Sequence, residues 1–172
     1  MRISSTKRIL SFAASAAFAL LIACQGKKGT LSLTEKEVVK DSVIQMADNI
    51  MKDISTKGPA AWVDYFEDDP GFFMASGGVL SFKSYKVGKT YTLDTVAKAF
   101  SKISLGWKNY RIDALTTDYA SFGADFHEDI TLAGGKQMSV DGYVTATAHF
   151  DRKRWKLRNM NWAIAPPRPT SK

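Results

Sequence analysis

Cysteine and histidine are scarce in this chain: 172 residues hold one cysteine, Cys24, and two histidines, His127 and His149. A lone cysteine closes no internal disulfide and builds no Cys-rich metal site, so whatever domain is present must be held by its apolar core. No transmembrane span is expected from the apolar run Ile9 to Ile22, which is 14 residues long where a bilayer-crossing helix needs about 20. A dense basic face is missing too. The cations are scattered except in Asp151-Arg152-Lys153-Arg154, which reads as a solvated hairpin turn, so no nucleic-acid partner is expected.

What is present begins with targeting. Arg2, Lys7 and Arg8 precede the apolar run, and the small Ala23 follows it, the layout of a secretory signal. Leu21-Ile22-Ala23-Cys24 resembles the bacterial lipoprotein box, which implies cleavage before Cys24 and acylation of its thiol. The resemblance makes residues 1–23 a signal peptide and places the protein at the cell membrane or outer membrane, facing the periplasm or exterior. The signal carries three of the 24 basic residues, so 21 remain against 17 acidic ones, a mild excess. The polar, Gly-containing segment over residues 24–32 reads as a tether, residues 33–165 as one domain and 166–172 as a tail. A basic turn and a lipid anchor together make the membrane surface an expected partner.

Within the domain, Thr34 with Glu37 suggests a capping box, followed by Val39, Val43, Met46, Ala47, Ile50, Met51 and Ile54 at helical spacing, to about Thr56. Gly58-Pro59 breaks that helix and opens a shorter one carrying Trp62, Tyr65 and Phe66. Two short strands follow, "FFMA" and "VLSF", joined at Gly77-Gly78. Thr92, Val96, Phe100 and Ile103 signal a third helix. Strands are then expected at about Trp107 to Leu115, Ala120 to Leu132, Met138 to Phe150 and Trp155 to Ala163. Helices first and a long meander last make an α+β domain.

The stretches "AAWVDYFEDDPGFFMASGGVL" and "FDRKRWKLRNMNWA" resemble the corner and closing hairpin of the nuclear transport factor 2-like superfamily, which includes ketosteroid isomerases, SnoaL-like cyclases and the kinase association domain. The resemblance implies a cystatin-like cone: N-terminal helices on the concave face of a curved, mostly antiparallel sheet. It also implies that the outer sheet face can pair with a second subunit, giving a homodimer. The fold does not fix a function, because it hosts several chemistries as well as binding modules.

A turn at Gly134-Gly135 sets Phe126 opposite Val144, Ala124 opposite Ala146 and Phe122 opposite Ala148, an apolar face that belongs inside. The other face carries Asp125, His127, Asp129, Thr145, Thr147 and His149. Asp125, His127 and Asp129 step by about 7 Å along one strand face, too wide for a shared metal, and neither a metal nor a cofactor is expected. For the last strand, a four-residue turn puts Trp155, Leu157, Asn159 and Asn161 inside, while a one-residue shift puts Arg158, Met160 and Trp162 there. The charges of Lys156 and Arg158 favour the first, and the resemblance favours the second.

The resulting candidate pocket is Trp62, Phe66, Phe122, Ala146, Met160 and Trp162, suited to a small hydrophobic ligand. The positions where the resemblance places the ketosteroid-isomerase base and its acidic donor hold Met74 and Ala146, both apolar. The expected function is therefore a membrane-tethered, non-catalytic ligand-binding or assembly module. The alternative is an isomerase, cyclase or dehydratase of the SnoaL type, for which no catalytic residue is assigned. A carboxylate or histidine aimed into the cavity would separate the two.

Overall fold

A computed structural model describes residues 30–166. The proposed signal peptide, Cys24 and the last residues of the tail lie outside the described residues.

Helix α1 (Leu33–Lys57) begins at Ser32, whose hydroxyl accepts from the Glu35 amide while the Glu35 carboxylate accepts from the Ser32 amide. This is a capping box two residues earlier than the Thr34–Glu37 pair expected from sequence. The helix buries Val39, Val43, Met46, Ala47, Ile50 and Ile54 along one stripe. Gly58, at φ 80°, ends it in a conformation that side chains disfavour, and Pro59 opens a 3₁₀ segment, Pro59–Asp64. Tyr65 closes against α1 by donating its hydroxyl to Asp53 at 2.8 Å.

Strands β1 (Phe73–Ser76) and β2 (Val79–Phe82) form a hairpin whose turn, Gly77-Gly78, has positive φ at both glycines. Then comes α2 (Tyr85–Tyr91), continued by a π-helical turn, Thr92–Val96, and a last helical piece, Ala97–Ala99. The expected helix from Thr92 to Ile103 is thus displaced: helix begins at Tyr85, capped by Ser84, and Phe100 already starts a strand. Long strands β3 (Phe100–Ala114), β4 (Tyr119–Leu132), β5 (Gln137–Phe150) and β6 (Trp155–Ile164) complete a six-stranded sheet of order β2-β1-β6-β5-β4-β3. Its pairs are antiparallel except β1 with β6.

Two registers differ from expectation. Phe122 pairs with Ala146 and Ala124 with Val144, two residues from the predicted partners, because the β4–β5 turn is centred one residue earlier. A shift of two keeps every side chain on its face, so the apolar face stays inside. In β6, Thr147 pairs with Asn159 and Ala148 with Leu157, leaving Arg158 as an inserted residue. That bulge makes each of the two proposed registers correct for half of the strand. Before it, Trp155 and Leu157 are buried; after it, Met160 and Trp162 are. Arg158 is therefore not beside the pocket; its guanidinium binds Glu67 and Asp69, each at 3.1 Å. Lys156 donates to the carbonyls of Asp64 and Phe66, capping the 3₁₀ end.

Aromatic rings join the 3₁₀ segment to the concave sheet. Trp107 stands edge-on to Trp62, Phe122 and Trp162 at centroid separations of 6.4, 5.5 and 5.6 Å. Phe126 lies against Trp162 at 4.2 Å and over Gly142, its cross-strand partner, where an added Cβ would come within 2.5 Å of the ring. Gly142→Ala is accordingly expected to cost about 1–3 kcal/mol by overpacking, read as a lower urea midpoint with unchanged slope.

Candidate functional site

Between the hairpin, the helical run and the sheet lies a cavity of about 150 Å³. The 3₁₀ segment and the corner after it supply Trp62 and Phe66; β1 and β2 supply Met74 and Phe82; the π-helical turn supplies Thr92 and Val96. Phe100 and Ile103 come from β3, Glu128 from β4, and Met160 and Trp162 from β6. A cavity this size holds a single small ring. The π-helical turn is closed by the Ala97 amide donating to the Thr92 carbonyl five residues back, a geometry that recurs at functional sites, and among the described residues it supplies the only hydroxyl-bearing side chain of the lining.

Of the six residues expected to form the pocket, Trp62, Phe66, Met160 and Trp162 line the cavity. Phe122 and Ala146 do not: both are buried, Phe122 against Trp107 and Tyr110, Ala146 between its partners Phe122 and Met160. Met74 is in the wall, where the resemblance would put a base.

Glu128, to which the sequence pattern above assigns no role, also lines the cavity. It is only 9 % exposed, and burial alone, with no neighbouring charge or hydrogen bond in compensation, pushes its carboxyl up to about 7. The signal was available. Glu128 shares strand parity with Phe122, Ala124, Phe126 and Ile130, all buried, so the alternation that placed those residues inward places a carboxylate there too. A carboxylate in an apolar cavity whose proton comes and goes near neutrality can take a proton from, or give one to, a bound molecule.

The outer face carries the polar groups expected on it. His127 lies between Asp141 at 2.8 Å and Asp129 at 3.2 Å; the hydrogen bond to Asp141, above all, raises its pKa. Asp125 accepts from Asn109 at 2.7 Å. His149 meets the buried Glu67 at 2.5 Å and stacks on Tyr119 at 4.2 Å. Together Glu67, His149 and Arg158 fasten the corner that carries Phe66 to the back of the sheet. Among the described residues no group of three metal-ligating side chains could hold a metal ion, and no helix is long and apolar enough to cross a membrane.

No protein-family model and no curated protein matches the sequence. Solved structures do match the fold. A nuclear transport factor 2-like superfamily protein from Salmonella enterica serovar Typhimurium superposes with a TM-score of 0.64 at 15% identity, covering 78% of this chain and 95% of that one. A hexachlorocyclohexane dehydrochlorinase from Novosphingobium barchaimii gives 0.63 at 12% identity, with 81% and 97% covered. A protein with a cystatin-like fold from Caulobacter vibrioides gives 0.58 at 12% identity, with 74% and 90% covered. The chain therefore has the nuclear transport factor 2-like, cystatin-like cone expected from its sequence, and identities this low speak to the fold alone.

The buried carboxylate makes a stability prediction with a definite sign. The folded pKa of Glu128, about 7, lies above its ordinary 4.5. Its contribution is neutral below pH 4.5, grows steadily more unfavourable as pH rises from 4.5 to about 7, and is constant above that. Glu128→Gln should therefore gain stability relative to the parent between pH 5 and pH 8, by up to about 3 kcal/mol from a shift of this size. Urea unfolding at both pH values measures it, and a difference between the two proteins that does not change with pH contradicts it.

Proposed function

We propose that this chain is a lipid-tethered domain that takes a small hydrophobic molecule into its cone and exchanges a proton with it through Glu128, as an enzyme of isomerase, cyclase or dehydratase type. The observation that carries this reading is the buried carboxylate in the cavity wall. A charge without a partner in apolar surroundings lowers stability, so its presence calls for a functional reason, and natural proteins accept such costs at active sites. A base whose pKa is close to the working pH combines the right protonation state with driving force for transfer. Thr92, the one hydroxyl in the lining, is the candidate donor to charge that develops on the bound molecule.

This reading departs from the non-catalytic module favoured by the sequence. That expectation rested on Met74 and Ala146 occupying the ketosteroid-isomerase positions; here the base comes from β4 instead. A neighbour in fold is named for a dehydrochlorination, an elimination that requires loss of a proton. Pure binding is the second reading, supported by a lining that is apolar apart from Glu128 and Thr92.

Turnover of a panel of small cyclic ketones, lactones and iminium ions by the purified domain, residues 24–172, separates the two. Glu128→Gln should lower kcat by at least about 100-fold, the usual contribution of a general base, while leaving uptake of an apolar dye intact. Dye uptake with no turnover by the parent selects the binding reading.

The anchor belongs to the same proposal. Cys24→Ala should move the protein from the membrane to the soluble fraction of the cell, and unchanged membrane fractionation of that variant refutes the lipid tether. A homodimer through the outer sheet face, where His127 and the hydroxyls of Thr145 and Thr147 lie, is the expected assembly and is checked by sedimentation.

A further inference from the structure

We infer that the molecule this cavity receives is a small organic cation, a ring bearing an ammonium or iminium nitrogen, rather than a neutral carbonyl compound or an anion. The inference rests on the proposal that the cavity is the functional site, and it names the substrate class. Five aromatic side chains line the space, Trp62, Phe66, Phe82, Phe100 and Trp162, and tryptophan is the side chain whose ring attracts cations most strongly. Among the described residues, the only ionisable group in the lining is Glu128. Every other lining side chain, from the 3₁₀ segment and its corner, the β1–β2 hairpin, the helical run, β3 and β6, is uncharged. An ionised Glu128 thus leaves one uncompensated negative charge in a space of about 150 Å³. A ligand cation supplies the missing counter-charge, and an anion would add a second like charge in apolar surroundings.

The donors point the same way. Proton abstraction beside a ketone leaves negative charge on oxygen, which needs well-placed donors, and the lining offers a single hydroxyl, on Thr92. Abstraction beside an iminium needs none. The C–H bond breaks and its proton passes to a Glu128 oxygen; the bonding pair becomes the new C=C bond. The C=N⁺ π pair then settles on nitrogen as a lone pair, giving a neutral enamine. Positive charge on the ligand and negative charge on Glu128 vanish together, so the apolar wall favours the step.

Three probes of matched shape test the inference: cyclohexylammonium, cyclohexanone and cyclohexanecarboxylate, titrated into the domain with tryptophan fluorescence and calorimetry as readouts. The expected order is ammonium tighter than ketone by at least tenfold at pH 8, with the carboxylate not binding. Glu128→Gln should abolish the preference for ammonium while ketone binding persists. In the parent, ammonium affinity should fall towards pH 5 as Glu128 takes up a proton, and ketone affinity should stay level, a check that needs no variant. Ketone binding as tight as ammonium binding overturns the inference and leaves the cavity's role intact; failure of all three probes to bind overturns both.

Discussion

Strand parity is the constraint on which this molecule depends. In β4 the even-numbered side chains face the helices, and β5 follows in step because its register is offset by whole residue pairs. A slip of one residue anywhere in the meander would turn Phe122, Phe126, Val144 and Ala148 out to water. The sequence of β6 cannot satisfy this rule as an unbroken strand, since it offers Trp155 and Leu157 on one parity and Met160 and Trp162 on the other. The bulge at Arg158 resolves the conflict by inserting one residue, so all four bury on the same side. The inserted arginine then serves a second purpose, because its guanidinium reaches Glu67 and Asp69 and ties the aromatic corner to the sheet.

The same alternation that builds the core delivers the unusual group. Glu128 is inward for the reason Phe126 and Ile130 are, and strand parity sets it among them with only 9 % of its surface exposed. Around it the wall is assembled from short pieces: the 3₁₀ segment, the hairpin and the helical run with its π turn. None of these has a long repeat of its own. The 3₁₀ segment and the corner after it are held from outside by polar contacts, with Lys156 on the carbonyls of Asp64 and Phe66 and with His149 and Arg158 on Glu67. The partnered charges thus secure the corner, and the unpartnered one is kept for the cavity.

Long, strongly patterned elements were legible in the sequence, and short or interrupted ones were not. The stripe of α1 and the alternation of β4 and β5 announce themselves through periodicity, and the glycine pairs mark two of the turns. The helix at Tyr85 to Ala99 carries no such stripe, since only Gly88 of α2 and Thr92 of its π turn are buried, so the spacing that starts at Thr92 points to a helix seven residues past its true start. In the pocket, Trp62, Phe66, Met160 and Trp162 were readable as large residues at inward positions. Phe122 and Ala146 satisfy the same rule yet lie deeper, because which inward residues meet a cavity depends on how the wall elements fold over them. Glu128 was legible in principle: a carboxylate in the parity of the core is the exception that marks a site. The opposite face holds more conspicuous groups that are already partnered, His127 by Asp129 and Asp141, His149 by Glu67 and Asp125 by Asn109.

The central claim is that Glu128 holds its proton to near neutral pH inside an apolar cavity. A ¹³C NMR titration of the glutamate side-chain carboxyls, with Glu128 assigned through Glu128→Gln, tests it directly. A midpoint near 7 is the predicted result. A midpoint at the ordinary carboxylate value of about 4.5 would mean that water reaches the group freely, and would contradict both the cavity's character and the role given to its acid.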